Sequence, residues 1–229
     1  MIANKKKFFL GLAMLVTFAV ILATIFMPVF GGQNGLDYMD NLYNSISKGS
    51  AYKNIKELKE SIGVFDGTKI DVTLALHSEK EAHQVSRLFQ KAGADATLEG
   101  STLKVSGDLG QILAYCLKDA DLMYANKGKK IAGKYDFDEK RALYSWWVAA
   151  EKMDKDLKNQ KRFKEAKIVA ATQKKAIEMA YNYYQIEPWQ IGDKYGVVIF
   201  SLLFYVVYTL WYGFAIMFMF EGWGLHLGH

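Results

Sequence analysis

The chain has 229 residues, 51% of them hydrophobic, a formal net charge of +5 and one cysteine. A lone cysteine, Cys116, excludes an intramolecular disulfide and any CxxC or CxxCH metal or haem attachment motif. The pattern of charge lacks the basic stripe with interleaved aromatics that nucleic-acid binding requires, so no nucleic-acid partner is expected.

From Phe8 to Met27 the sequence runs for 20 residues without a charge, the length of a helix that crosses a bilayer's hydrocarbon core. This run is longer than the apolar core of a secretory signal, and the MPVFGGQNG that follows has no small-x-small cleavage pattern, so a retained anchor is expected. A second uncharged run extends from Tyr195 to Phe220. The expected organisation is an anchor over 1–30, an external α+β domain over 31–135, a helical stalk or hairpin over 136–190, and a C-terminal transmembrane helix with a short tail over 191–229. Lys5, Lys6 and Lys7 directly precede the first span and resist translocation, which predicts cytoplasmic termini and a periplasmic central domain. The 26 Lys and Arg residues between the spans do not reverse this, because long loops translocate largely regardless of charge. An external domain free of disulfides points to a bacterial inner membrane.

After Pro28, LDYMDNLYNSIS places Leu36, Met39, Tyr43 and Ile46 on one helical stripe, and a second helical segment is expected near Ile55 to Ile62. KIDVTLAL alternates, with Ile70, Val72, Leu74 and Leu76 on one face, which predicts a half-buried strand. Ser78 and Glu81 form a capping box before a helix carrying Ala82, Val85, Leu88, Phe89 and Ala92. ADATLEGSTLKVSGD reads as a hairpin turning at Gly100-Ser101. Asp108 and Gln111 then open a helix with Leu109, Ile112, Leu113, Cys116, Leu117 and Ala120 on its apolar face. The order is a small three-stranded βαββα unit resembling part of a ferredoxin-like fold. The lysine-rich loop ANKGKKIAGK leads to a long helical region, with Asp136 and Glu139 expected as its cap. Two apolar stripes, Leu143 to Leu157 and Phe163 to Tyr184, are out of phase across KNQKR, which fits either a continuous stalk or a turn between antiparallel helices.

No GxGxxG, Walker loop, HExxH, GxSxG or Cys/His ligand spacing occurs, so no catalytic residue, metal or cofactor is expected. His77 and His83 read as solvated or capping residues and Cys116 as a small buried hydrophobe. Trp146 lies in its helical stripe, so the adjacent Trp147 points elsewhere, to a second packing surface or an external partner. In the last span Tyr205, Tyr208 and Tyr212 recur at helical spacing, and Tyr208, Trp211 and Tyr212 fall near the middle, far from the interfaces where such rings ordinarily gather. An unpaired hydroxyl or indole N–H in hydrocarbon costs about 1–3 kcal/mol, so these groups are expected to meet protein. Gly213 beside them permits close approach of another helix. The first span is mostly aliphatic, with Thr17 and Thr24 as its polar groups, so other integral-membrane subunits are the expected partners, the alternative being an intramolecular pair of the two spans packed on each other, with periplasmic proteins besides and the lipid bilayer around. Glu221, His226 and His229 follow as an ordinary interfacial tail or as residues bordering a cofactor held by a partner. The expectation is a non-catalytic accessory subunit of a larger membrane complex, in electron transport by class analogy. The alternative is an envelope scaffold or sensor of secretion or pilus type machinery.

Overall fold

The computed structural model describes residues 2–225, without the side chains of residues 51, 52 and 54. These residues form two compact units, one of residues 2–46 with 189–225, the other of residues 47–188. In chain order the elements are α1 (Lys5–Phe26), α2 (Gly35–Gly63), β1 (Lys69–Ala75), α3 (Glu79–Lys91), β2 (Asp95–Glu99), β3 (Thr102–Asp108) and α4 (Leu109–Tyr124). There follow α5 (Lys129–Tyr135), α6 (Glu139–Asn159), α7 (Phe163–Thr172), a π-helical turn (Gln173–Ile177), α8 (Glu178–Asn182) and α9 (Ile191–Trp223).

The first unit holds α1, the start of α2, and α9. Asn4 caps α1 by accepting the Lys7 amide at 3.1 Å, which satisfies a donor the first turn leaves free. Gly224, at φ 92°, ends α9 in the left-handed conformation that lets the chain leave a helix. α2 departs from the expected pair of segments: it is one helix, and Gly49 within it is tolerated at a cost of about 1 kcal/mol against alanine. Its buried positions in this unit are Gly35, Leu42 and Ser45, whereas Leu36 and Tyr43 of the expected stripe are exposed. The Tyr43 hydroxyl lies 2.7 Å from Ser201 Oγ on α9.

In the second unit, β3 sits between β1 and β2 and is antiparallel to both. The Glu99–Thr102 pair closes the hairpin over Gly100-Ser101, as the turn residues predict. Alternation buries Ile70, Val72 and Leu74 of β1 and Leu103 and Val105 of β3 on one face. Ser78 caps α3 and Asp108 caps α4, each accepting the amide three residues on. The cap of α6 is Asp138, not Asp136, and its carboxylate accepts the Arg141 amide. Asp136 instead closes α5 with φ 61°, a conformation aspartate tolerates better than most residues.

The long helical region is a hairpin. α6 and α7 pack on each other, and Lys161, at φ 61°, makes the turn between them. The hairpin is also no separate stalk: Leu143, Trp146, Met153, Ala166 and Ile177 belong to the same core as the sheet, α3 and α4. Its turn covers the outer edge of β1. Asp156 accepts the Thr73 amide at 3.1 Å, Gln160 donates to the Asp71 carbonyl at 2.7 Å, and Arg162 donates to the Lys69 carbonyl at 2.9 Å. Three side chains thus stand where a fourth strand would hydrogen-bond, which blunts an edge otherwise open to another chain.

Candidate functional site

Two helices, α1 and α9, are long and apolar enough to cross a membrane. They pack antiparallel, with the start of α1 against the end of α9. The Asn4 amide donates to the Gly222 carbonyl at 2.9 Å, and Lys7 pairs with Glu221 at 2.7 Å. The covered positions on α9 include Tyr208, Trp211, Ala215 and Gly222, at spacings of 3, 4 and 7, the rhythm of a coiled-coil seam. Glycine is required at both tight points. A Cβ on Gly11 would stand 2.6 Å from the Ala215 carbonyl oxygen, and one on Gly222 would stand 2.5 Å from the Phe8 nitrogen.

This seam answers part of the aromatic chemistry from within the chain, contrary to the expectation that α1 has little to offer. The Trp211 indole donates to the Met14 carbonyl at 3.2 Å. Phe18 stacks on Tyr208 at 4.2 Å between centroids and lies 5.0 Å from Tyr212. The acceptor is a backbone carbonyl and the packing partner a phenyl ring, so an inventory of polar side chains in α1 misses both. Thr17 and Thr24 turn their hydroxyls back to carbonyls of their own helix.

Tyr205 faces outward, and Tyr212 borders Phe18 on one side and stays open on the other. Tyr205 is 69% exposed and Tyr212 45% exposed. A Cβ on Gly213 would meet no atom within 4 Å, so this glycine serves no approach inside the pair. Tyr205, Thr209 and Gly213 lie four residues apart along one stripe, and the Thr209 hydroxyl is committed to the Tyr205 carbonyl at 2.7 Å. The Tyr208 hydroxyl is buried beside Phe18 and has no hydrogen-bond partner among the described residues. Glu221 is engaged by Lys7, while His226 and His229 lie outside the described residues.

No protein family, curated protein or solved structure matches this chain.

The second unit contributes two polar clusters that sequence reasoning did not pick out. Asp119 is fully buried on α4, and its carboxylate accepts from Lys134 at 2.6 Å, from Trp146 at 3.0 Å and from the Tyr135 hydroxyl. Burial first, and then the Asp119 carboxylate, holds the Tyr135 phenol far above its ordinary pKa. The same two causes, in the same order, raise the Cys116 thiol. Three donors leave Asp119 tying α4, α5 and α6 together. The sequence signal was position: Asp119 follows Ile112 and Cys116 by seven and three residues, on the apolar face of its helix.

Lys48, 1% exposed, centres the other cluster. Its ammonium donates to the Ile186 carbonyl at 2.6 Å and to Asn126 Oδ1 at 2.9 Å, and it lies 5.1 Å from the Tyr124 ring centroid. Burial lowers its pKa, with Glu187 opposing. Trp147 is half-buried, stacks on Tyr144 at 6.1 Å and offers its carbonyl to Gln173 at 3.1 Å. Among the described residues, no group of three or more His, Cys, Asp or Glu side chains converges to hold a metal ion.

Proposed function

We propose that the chain is a non-catalytic, two-span membrane subunit that docks and stabilises other components of a larger membrane complex. The observation that carries this reading is the outward face of α9. Within the charge-free run Tyr195–Phe220, Tyr205 and Tyr212 lie within about 4 Å and about 7 Å of the midpoint, at roughly 1.5 Å rise per residue. Both hydroxyls would sit in hydrocarbon, where an unanswered one costs about 1–3 kcal/mol. Gly213 on the same side offers room for a neighbouring backbone. A second polypeptide in the membrane satisfies all three features at once.

The lysines at 5, 6 and 7, with the start of α1 and the end of α9 at the same end of the helix pair, support cytoplasmic termini and a periplasmic second unit in a bacterial inner membrane. The order β1-β3-β2 with α3 and α4 supports the reading of that unit as a partial ferredoxin-like fold. By class analogy, the assembly is a respiratory or electron-transfer complex, in which cofactor-free small subunits accompany catalytic ones. The test is purification of the tagged chain in mild detergent. Integral-membrane partners should accompany it, and Y205L/Y212L should weaken that association while the chain still inserts. A lone monomer from native membranes, or full association by the variant, overturns the reading.

A further inference from the structure

Between Leu122 and Tyr135 the chain carries four lysines and no acid. Lys134 is committed to Asp119. Lys127, Lys129 and Lys130 are exposed, and no carboxylate among the described residues stands within ion-pair distance of their ammonium groups. Their position is unfavourable for an isolated fold. Lys129 and Lys130 open α5, whose first turn has no side-chain cap and no acid, so nothing on that turn offsets their charge. A local electrostatic conflict of this kind points to a compensating anion outside the chain.

The loop is also tethered. Asn126 donates to the Ile186 carbonyl and to Glu187, both at 3.1 Å, and accepts from the Gln185 amide at 2.8 Å and from buried Lys48. From Glu187 the chain has four residues, at most about 14 Å, before α9 begins at Ile191. Between them stands Trp189, with the Lys194 ammonium 4.6 Å from its ring, the pairing that marks a membrane–water interface. We infer that Lys127, Lys129 and Lys130 form a docking surface for anionic lipid headgroups, which holds the loop after α4 against the bilayer. The inference rests on the membrane reading above. It adds the partner that neutralises these three charges. Headgroup attraction of this type is screened by salt over about 8 Å at physiological ionic strength.

The test uses the full chain in nanodiscs. One variant carries a fluorophore at Gly133→Cys, an exposed α5 site with open space around it, and a second carries one at Leu210→Cys on the outward side of α9. Cys116 is buried and does not compete for label. With headgroup-quencher lipids, the Gly133→Cys label should be quenched when phosphatidylglycerol is present. Quenching should fall on the order of fivefold per lysine removed in K127Q, K129Q and K130Q, or in high salt. Equal quenching in phosphatidylcholine alone, or no change in the triple variant, overturns the proposal. The Leu210→Cys label should be quenched by brominated acyl chains in both lipids; if it is not, the membrane reading itself fails, separately from the lysine surface.

Discussion

Replacing Asp119 with asparagine removes the charge on which three elements converge. Tyr135 and Trp146 are 1% and 2% exposed, so neither can turn to water, and Lys134 keeps an ammonium in a half-buried site. A hydrogen bond to a charged group contributes about 1.5–3 kcal/mol, and the asparagine amide would present a donor to another donor. Summing three such bonds overstates the loss, because one geometry serves them all. The fitting precedent is a broken buried pair, which costs about 3–5 kcal/mol. That is a large share of the roughly 5–15 kcal/mol that holds a domain folded. Urea unfolding of the full chain in detergent, followed by near-ultraviolet circular dichroism, reads the difference. At a slope of about 2 kcal/mol per molar urea, the midpoint should fall by about 2 M. Adding K134M should restore part of the loss by removing the stranded cation. A fall below about 0.5 M would refute the argument that Asp119 is the keystone of this core.

Gly11→Leu should separate α1 from α9, since even a Cβ there would overlap the Ala215 carbonyl; a fluorescence-transfer pair on the two helices would report the loss, and unchanged transfer would contradict the packing. Asp156→Ala should expose the Thr73 amide at the β1 edge, raising its hydrogen-exchange rate about fivefold for a loss of about 1 kcal/mol, with global stability changed little. Stability of the second unit should decline above about pH 9. The unfolded chain ionises Cys116 and Tyr135 near their ordinary values while the fold keeps both protonated, so each contributes a slope of about 1.4 kcal/mol per pH unit. Lys48, with its lowered pKa, opposes this, and Lys48→Met should steepen the decline.

Local features were legible in the sequence because their causes are local. Twenty uncharged residues mark α1, alternation marks β1, and the Ser78 and Asp108 caps sit where their side chains reach an amide three residues on. The departures arise from contacts between distant residues. Asp136 and Asp138 are equivalent as sequence, and only the end of α5 assigns the cap of α6 to the second. The choice between stalk and hairpin depended on whether Lys161 would accept positive φ, which is stabilised by the core contacts of α6 and α7 on either side. In the outer helix pair, tyrosine and tryptophan spacing identified an unusual face. It did not divide that face into the part met by Phe18 and the Met14 carbonyl and the part left open at Tyr205, Tyr212 and Gly213.

The claim that another polypeptide covers that open part is tested most directly by site-specific photocrosslinking in native membranes. A benzophenone side chain at position 205 or 213 should yield a discrete adduct with a second protein on irradiation. The same probe at Phe18, which packs on Tyr208 of α9, should yield only adducts within the chain. Lipid adducts alone at 205 and 213 would contradict the account.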